Sequence, residues 1–185
     1  MTNTPGNVLA GKLASGGIHV ADLGIEAPVD ASTPLPIGWV SLGYTSDNGI
    51  VIAPEVESGE WLDHNGNVIR KYVKSFKEIL TVTLSETSLP SLSAIYGADN
   101  VTQTSNLIHV RHNSSLPPMR AWDLDFLDGA DAQRYYIERG QVITKPELTF
   151  DSENPVAYEI EIETFIGSDG NFAHRWVEFG GGIAV

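Results

Sequence analysis

The sequence predicts a mainly β protein of the α+β class. Two packed antiparallel sheets form a β-sandwich or barrel flanked by one α-helix, with a long loop and extended termini. β-branched and aromatic residues recur in short runs that alternate with polar residues, which is the pattern of half-buried strands. The 18 glycines and 10 prolines are spread along the whole chain, as turns between short strands require. Residues 88–97 carry the signals of a single substantial helix.

Length and composition narrow the possible functions. With 185 residues, of which 42% are hydrophobic, we expect one domain with one core. The absence of cysteine excludes disulfides and thiolate metal sites. A formal net charge of -13 repels nucleic acid phosphates, which argues against a sequence-reading DNA-binding protein. No basic leader precedes an apolar run and no stretch approaches the roughly 20 apolar residues of a membrane span, so we expect a soluble protein.

The first half of the chain predicts three strand regions around a turn-rich segment. Residues 18–21 form the first candidate strand, and order resumes at residues 38–44 after several prolines. The density of turn formers in residues 45–67 indicates either a long loop or an extended hairpin. Residues 68–86 follow as a strand, since apolar and hydroxyl side chains alternate along its second part.

The predicted helix at residues 88–97 has an N-terminal capping residue, an apolar stripe and a glycine that terminates it. Thr87 or Ser88 can cap it, and Pro90 is tolerated in the first turn. Gly97 ends it. The apolar stripe is formed by Leu89, Leu92, Ala94, Ile95 and Tyr96.

The second half predicts five further strands, joined in part by tight turns. Asp128-Gly129 and Asp169-Gly170 are hairpin signals that join two of the pairs. In the first hairpin, apolar residues alternate with Asp123 and Asp125, so one face is core and the other is wet or lies in an interface. The predicted strands are residues 106–112, 119–127, 132–139, 158–166 and 172–179.

Three motifs resemble chemical sites without meeting their requirements. The Gly6–Lys12 segment has the spacing of a phosphate-binding loop but continues with Leu13 instead of a hydroxyl residue. The carboxylates from Asp123 to Asp128 do not keep the spacing of a calcium loop. His109 and His112 would point to opposite faces of a strand. We therefore predict no catalytic, cofactor-binding or metal site.

Two charged groups stand out instead. Glu159, Glu161 and Glu163 alternate with apolar residues, which places three carboxylates on one strand face. That face is either ordinary solvated surface or the lining of a pore that keeps DNA from sticking. Four of the eleven basic residues cluster in eight positions, and they suit either an acidic patch on a neighbouring subunit or an edge that discourages aggregation. They are Arg70, Lys71, Lys74 and Lys77.

A series of segments follows the order and spacing of one known family. They are Gly17-Ile18-His19-Val20-Ala21, Pro28, Asp30, residues 38–49 (Gly-Trp-Val-Ser-Leu-Gly-Tyr-Thr-Ser-Asp-Asn-Gly), Trp61, Val68-Ile69-Arg70, residues 81–87 (Thr-Val-Thr-Leu-Ser-Glu-Thr) and Tyr96-Gly97. Across residues 17–179 the chain resembles siphophage major tail proteins, the tail tube subunits, particularly those of phages of actinobacterial hosts. Residues 38–49 carry most of the specificity.

The resemblance implies a structural virion protein with the tail tube fold, and not an enzyme. It implies six copies per ring, and rings stacked into a conduit for viral DNA, which passes without sequence-specific binding. Implied partners are the chain itself, the tape-measure protein, the tail terminator and tail-tip proteins, with no membrane. The implied location is the virion tail, and the host cytoplasm during assembly. Residues 1–16 and 180–185 would be arms around the 17–179 domain, and Trp61 would anchor a contact between subunits or rings.

Two other function classes remain open at this point. An isolated β-sandwich that binds ligands or decorates a virion would present an exposed aromatic platform, for which the chain offers Trp39, Trp61, Trp122 and Trp176. A secretion-system tube protein would form the same kind of ring but would be encoded by a bacterium.

Overall fold

The computed structural model describes residues 8–180. Within that range the chain forms ten strands, one α-helix and a short 3-10 helix at Ala98–Asn100. The strands and the helix are β1 Leu13–Ala21, β2 Val40–Ser41, β3 Val51–Leu62, β4 Val68–Leu84, α1 Leu89–Tyr96, β5 Val101–Thr104, β6 Leu107–Val110, β7 Arg120–Asp128, β8 Asp131–Val142, β9 Tyr158–Thr164 and β10 His174–Glu178. The predicted mainly β class, with two antiparallel sheets and one α-helix, is confirmed for this part of the chain.

The main sheet has eight strands, and β8 connects its two halves. The order is β2-β1-β7-β8-β9-β4-β3, and β10 also pairs with β8. Along one edge β8 pairs with β7; along the other, its first part pairs with β10 and its last residues pair with β9. Strands β5 and β6 form a separate two-stranded sheet. One long strand therefore passes between both halves of the fold.

The core follows the predicted alternation. In β4 and β9, alternate apolar side chains are buried while their neighbours lie on the other face. Helix α1 packs on the same core through its apolar stripe. The largest fully buried side chains are Trp122, Ile18, Leu42, Leu80, Leu84, Ile95, Leu124, Ile137, Ile160, Ile162, Val82 and Val142.

Helix α1 begins and ends as its sequence predicts. The Ser88 side chain accepts a hydrogen bond from the Ser91 N–H, and Pro90 lies in the first turn. The Ser91 hydroxyl is buried and donates to the Leu42 carbonyl at 2.8 Å, which fixes the helix to the chain after β2. At the other end, Gly97 has φ of 87°, where a side chain would be strained. The predicted helix is confirmed.

The predicted pairing of residues 158–166 with 172–179 is wrong. The Asp169-Gly170 turn is present, but β10 pairs with β8 and not with β9. Strand β9 pairs with β4 on one edge and with β8 on the other, so it has no edge left for β10. Turn chemistry predicted the reversal of direction, but the next strand's partner depended on which edges were already paired.

Two predicted boundaries also change. The long-loop interpretation of residues 45–67 is wrong over β3, and the extended-hairpin alternative is confirmed, because β3 pairs with β4 through most of its length. The N-terminal arm predicted for residues 1–16 is too long, because β1 begins at Leu13. The remaining arm predictions for residues 1–7 and 181–185 lie outside the described residues. Strand β5, which the sequence did not predict, completes the small sheet with β6.

One buried carboxyl depends on a single hydroxyl. Glu78 is 9% exposed, and the Tyr135 hydroxyl donates a hydrogen bond of 2.6 Å to its Oε1 atom. Burial and this neighbouring carboxylate raise the pKa of Tyr135 far above its usual value, so the hydroxyl keeps its proton.

Replacing Tyr135 by Phe is expected to lower the free energy of unfolding by about 1–3 kcal/mol, because Glu78 loses its hydrogen-bond donor. Urea denaturation measures the change. Tyr44→Phe is the matched control, since Tyr44 is 66% exposed. Equal stability losses in the two variants would show that the Tyr135 contact is unimportant.

Candidate assembly interface

The β3-β4 hairpin projects beyond the core. From Ala53 to Ser75 every residue except Gly59 and Asp63 is exposed, so both faces of the hairpin meet solvent. Its tip is nevertheless ordered by hydrogen bonds, because the Asp63 carboxylate accepts from the backbone N–H groups of Asn65 and Asn67, both at 2.8 Å. A hydrogen bond from the Asn67 side-chain amide, together with these backbone bonds, holds the pKa of Asp63 below its usual value. The chain thus holds a defined hairpin away from its own core.

An aromatic and cationic contact lies near the end of this hairpin. Trp61 is 54% exposed, and its ring lies 5.4 Å from the Tyr72 ring. The Arg70 guanidinium stands over the Trp61 ring at 5.6 Å. Gly59 leaves room for this contact, since a side chain there would meet the Tyr72 ring at 2.6 Å. The structure therefore places Trp61 on an exposed, ordered surface, while its predicted role as an anchor stays a prediction.

The basic residues of the predicted cluster pair within the chain. Lys71 lies 3.1 Å from Glu60, and Lys74 lies 3.2 Å from Glu57. Both pairs are exposed, and such pairs contribute at most about 1 kcal/mol each. Binding to a second subunit can therefore exchange these partners at small cost. A role for the cluster between subunits stays a prediction.

The acidic face of β9 has the alternation that its sequence predicts. Glu159 is exposed, while Glu161 and Glu163 are partly buried on the side of the strand away from the core. Lys77 lies 3.8 Å from Glu163, so the basic cluster and the acidic face meet across β4 and β9. The basic cluster and the acidic face were predicted as two separate groups, because the sequence does not show that β4 pairs with β9.

A cleft beside β9 extends the acidic face. Residues 144–157 run along the strand and enclose a cavity of about 560 Å³ with Glu159 and Glu161 in its wall. Glu147 and Asp151 add carboxylates, and Lys145 adds one cation. This segment was not predicted to take part in the site, since it has neither strand nor helix periodicity, although its carboxylates are visible in the sequence.

A second polar group, of two buried and two partly buried residues, lies on the outer face of the sheet. His19, Asp123, Asp125 and Arg134 stand on β1, β7 and β8, beneath the chain around residues 30–35. The sequence predicted a wet or interface position for the two aspartates, but Asp123 is 0% exposed. Burial raises the pKa of Asp123. The covering segment comes from a distant part of the chain, so no local pattern around the aspartates indicates this burial.

Comparison with known proteins gives the family. The model of a family described as phage tail tube protein matches residues 1–179. The chain belongs to the phage tail tube protein family. This tail tube protein is accordingly a structural component of a phage tail and not an enzyme. Between residues 8 and 180, it has no helix long and apolar enough to span a membrane.

Other comparisons add little. Among solved structures, the tail tube protein is similar to the anti-feeding prophage cap, a tube-terminating cap determined by cryo-electron microscopy, with a TM-score of 0.45. The two share 10% identity over 91% of this chain and 93% of that chain, a likeness too remote to carry a functional argument. No curated protein matches the sequence.

Proposed function

We propose that this tail tube protein assembles with copies of itself into stacked rings of six subunits that form the conduit for viral DNA. The observation that carries the proposal is the β3-β4 hairpin, which holds large apolar side chains in solvent. Exposed apolar surface of this kind marks a protein contact. The exposed apolar and aromatic residues of the hairpin are Val51, Val56, Trp61, Leu62, Val68, Ile69, Tyr72 and Val73.

The open edges of the main sheet support assembly by a second route. Strands β2 and β3 end the sheet, and each presents backbone groups along its outer side. Joining subunits edge to edge satisfies those groups, and a rotation that closes gives a ring. When subunits join along the part of β3 nearest the core, the outer part of the hairpin can reach the next subunit or ring. Trp61 would then anchor this contact, and the basic cluster would surround it with charge.

Electrostatics supports the acidic face of β9 as the lining of the conduit. DNA carries about one negative charge per 1.7 Å of its axis, so a lumen rich in carboxylates repels it and prevents sticking. The net charge of -13 is consistent with this role. The tape-measure protein, the tail terminator and the tail-tip proteins are the expected partners, and the subunit assembles in the host cytoplasm before it becomes part of the virion tail.

Replacing Glu159, Glu161 and Glu163 together by Lys is expected to leave tubes intact and to lower infectivity roughly tenfold or more, since DNA phosphates would bind the lysines during ejection. Electron microscopy of particles measures assembly, and plaque counts with DNA-release assays measure delivery.

The matched control changes Glu26, Asp47 and Glu178 to Lys, which alters the net charge equally at exposed positions away from the acidic face and its cleft. Normal infectivity of the first variant, or equal losses in both, would rule out the acidic face as the lining. Loss of tubes would instead assign these glutamates to subunit contacts.

The rival ligand-binding module finds less support. Trp122 is 1% exposed and lies in the core, while Trp39 and Trp176 pack against the Tyr136 ring. Trp61 stands by itself on the hairpin, so the four tryptophans form no common platform.

A further inference from the structure

The buried polar cluster on β1, β7 and β8 has a specific arrangement of atoms. His19 faces Asp123 across the β1-β7 pair, and Asp125 faces Arg134 across the β7-β8 pair. The side chains of all four lie on the outer side of the sheet, because the intervening Ile18 and Leu124 are in the core. Three strands thus direct polar groups toward one point.

The two carboxylates each turn one oxygen to Arg134 and the other to His19. The Arg134 Nε atom lies 2.7 Å from Asp125 Oδ1 and 3.5 Å from Asp123 Oδ1. The His19 Nδ1 atom lies 3.7 Å from Asp123 Oδ2 and 3.9 Å from Asp125 Oδ2. Three potential metal-ligand atoms, one each from His19, Asp123 and Asp125, therefore converge. All three lie within 4.8 Å of one another.

Some of these buried atoms have no hydrogen-bond partner. Within residues 8–180, His19 Nδ1 and both Asp123 oxygens are inaccessible to solvent and have no hydrogen-bond partner. A buried carboxylate without a partner is costly, so such groups in native proteins are neutralised or coordinate a cation. The guanidinium of Arg134 compensates one of the two carboxylates, and the other remains without a counter-charge.

We propose that His19 Nδ1, Asp123 Oδ2 and Asp125 Oδ2 bind a divalent transition-metal cation of the zinc or manganese type. One imidazole nitrogen and two carboxylate oxygens suit such borderline cations. Ligands bound at about 2.0–2.2 Å in tetrahedral geometry stand roughly 3.4 Å apart. The two separations between the imidazole nitrogen and the carboxylate oxygens, 3.7 and 3.9 Å, close by a few tenths of an ångström on binding, and the two carboxylate oxygens, which lie within 4.8 Å of each other, also move together.

The cavity beside the proposed metal site and the contact between Arg134 and Asp125 are both consistent with metal binding. A cavity of about 420 Å³ is lined by His19, Asp125 and Arg134 and by the chain above them, which leaves room for a water ligand. Arg134 is a positioning residue, because it holds the outer oxygen of Asp125 and so orients the inner one. The bound cation would tie β1 to β7 beside the short edge strand β2.

The test uses the full chain after removal of metal by chelation. Titration with ZnCl₂ or MnCl₂ at pH 7.5 is expected to show one ion bound per chain and a rise of several degrees in Tm. His19→Gln and Asp123→Asn should each lose this binding, whereas His64→Gln, an exposed control on the hairpin tip, should keep it.

Two results would overturn the proposal: no saturable binding of one ion, or binding that persists in both site variants. The X-ray absorption spectrum of the metal-loaded wild-type protein gives an answer independent of variant folding. Scattering from one imidazole together with oxygen ligands is expected, and a shell of oxygens alone would place the ion elsewhere. A proton shared by His19 and the aspartates, the competing occupant, predicts no Tm response to metal.

Discussion

Replacing Arg134 by Leu is expected to lower the free energy of unfolding by about 3–5 kcal/mol, because it leaves buried carboxylates without their cation. The Arg134 side chain is 4% exposed and pairs with Asp123 and Asp125. Its Nη1 atom also donates to the carbonyls of Asp30 and Thr33, both at 2.8 Å. The variant therefore loses two charge pairs and the attachment of the covering segment at once.

The second consequence of Arg134→Leu is local. Asp30 stabilises its own turn by accepting hydrogen bonds from Ser32 and Thr33, so the turn itself persists. Its docking on the sheet, however, depends on Arg134. We expect faster proteolytic cleavage within residues 30–35 in the variant than in the wild type.

The measurement is urea denaturation at pH 7 in the presence of a chelator, so that no bound metal contributes. Arg139→Leu is the matched control, because Arg139 lies on the same strand with its side chain exposed, and we expect it to change stability by no more than about 0.5 kcal/mol. A loss below about 1 kcal/mol in Arg134→Leu would contradict the assigned role of the buried pairs.

Removing the outer hairpin is expected to abolish tube formation while the subunit stays folded. Replacing residues 58–74 by Asn-Gly closes the observed Glu57–Ser75 pair with a two-residue turn. The removed residues include Trp61 and are exposed apart from Gly59 and Asp63, so the core loses no contact and stability should change by about 1 kcal/mol or less. Phe76 keeps its contact with Phe172.

Negative-stain electron microscopy across a concentration series measures assembly of this shortened protein, and its melting curve measures folding. Phe150→Ala is the control, because it removes a large exposed apolar side chain elsewhere. Tubes formed by the shortened protein would refute the proposed role of the hairpin. Absence of tubes with a normal melting curve, and normal tubes in the control, would support it.

Much of the fold was predictable, because most elements carry local signals. Ser88, Pro90 and Gly97 set the bounds of α1, and the alternation of Glu159, Glu161 and Glu163 with apolar residues gave both faces of β9. The pairing of β10 was not predictable in the same way. Its turn is local, but its partner strand depends on which edges the rest of the sheet leaves open.

The residues of the candidate assembly surfaces were predictable from the sequence, but their arrangement in space was less so. The basic cluster and the acidic face were both identified from spacing. Their meeting at Lys77 and Glu163 required the β4-β9 pairing, which joins positions far apart in the chain. For residues 45–67 the sequence predicted a long loop, with an extended hairpin as the alternative, since turn formers such as Gly59 and Gly66 interrupt the strand pattern.

The sequence by itself determined the fold class, the helix, the two faces of each main strand and the acidic character of the chain, because periodicity and composition are local properties. Only the tertiary structure decided which of the strand faces that point away from the core are covered by another part of the chain. Arg134 contacts the carbonyl of Asp30, 104 positions away, and this contact buries Asp123 where alternation alone predicts a wet or interface face. The physical reason is that alternation separates two faces of a strand, whereas burial of the outer face depends on distant chain folding over it.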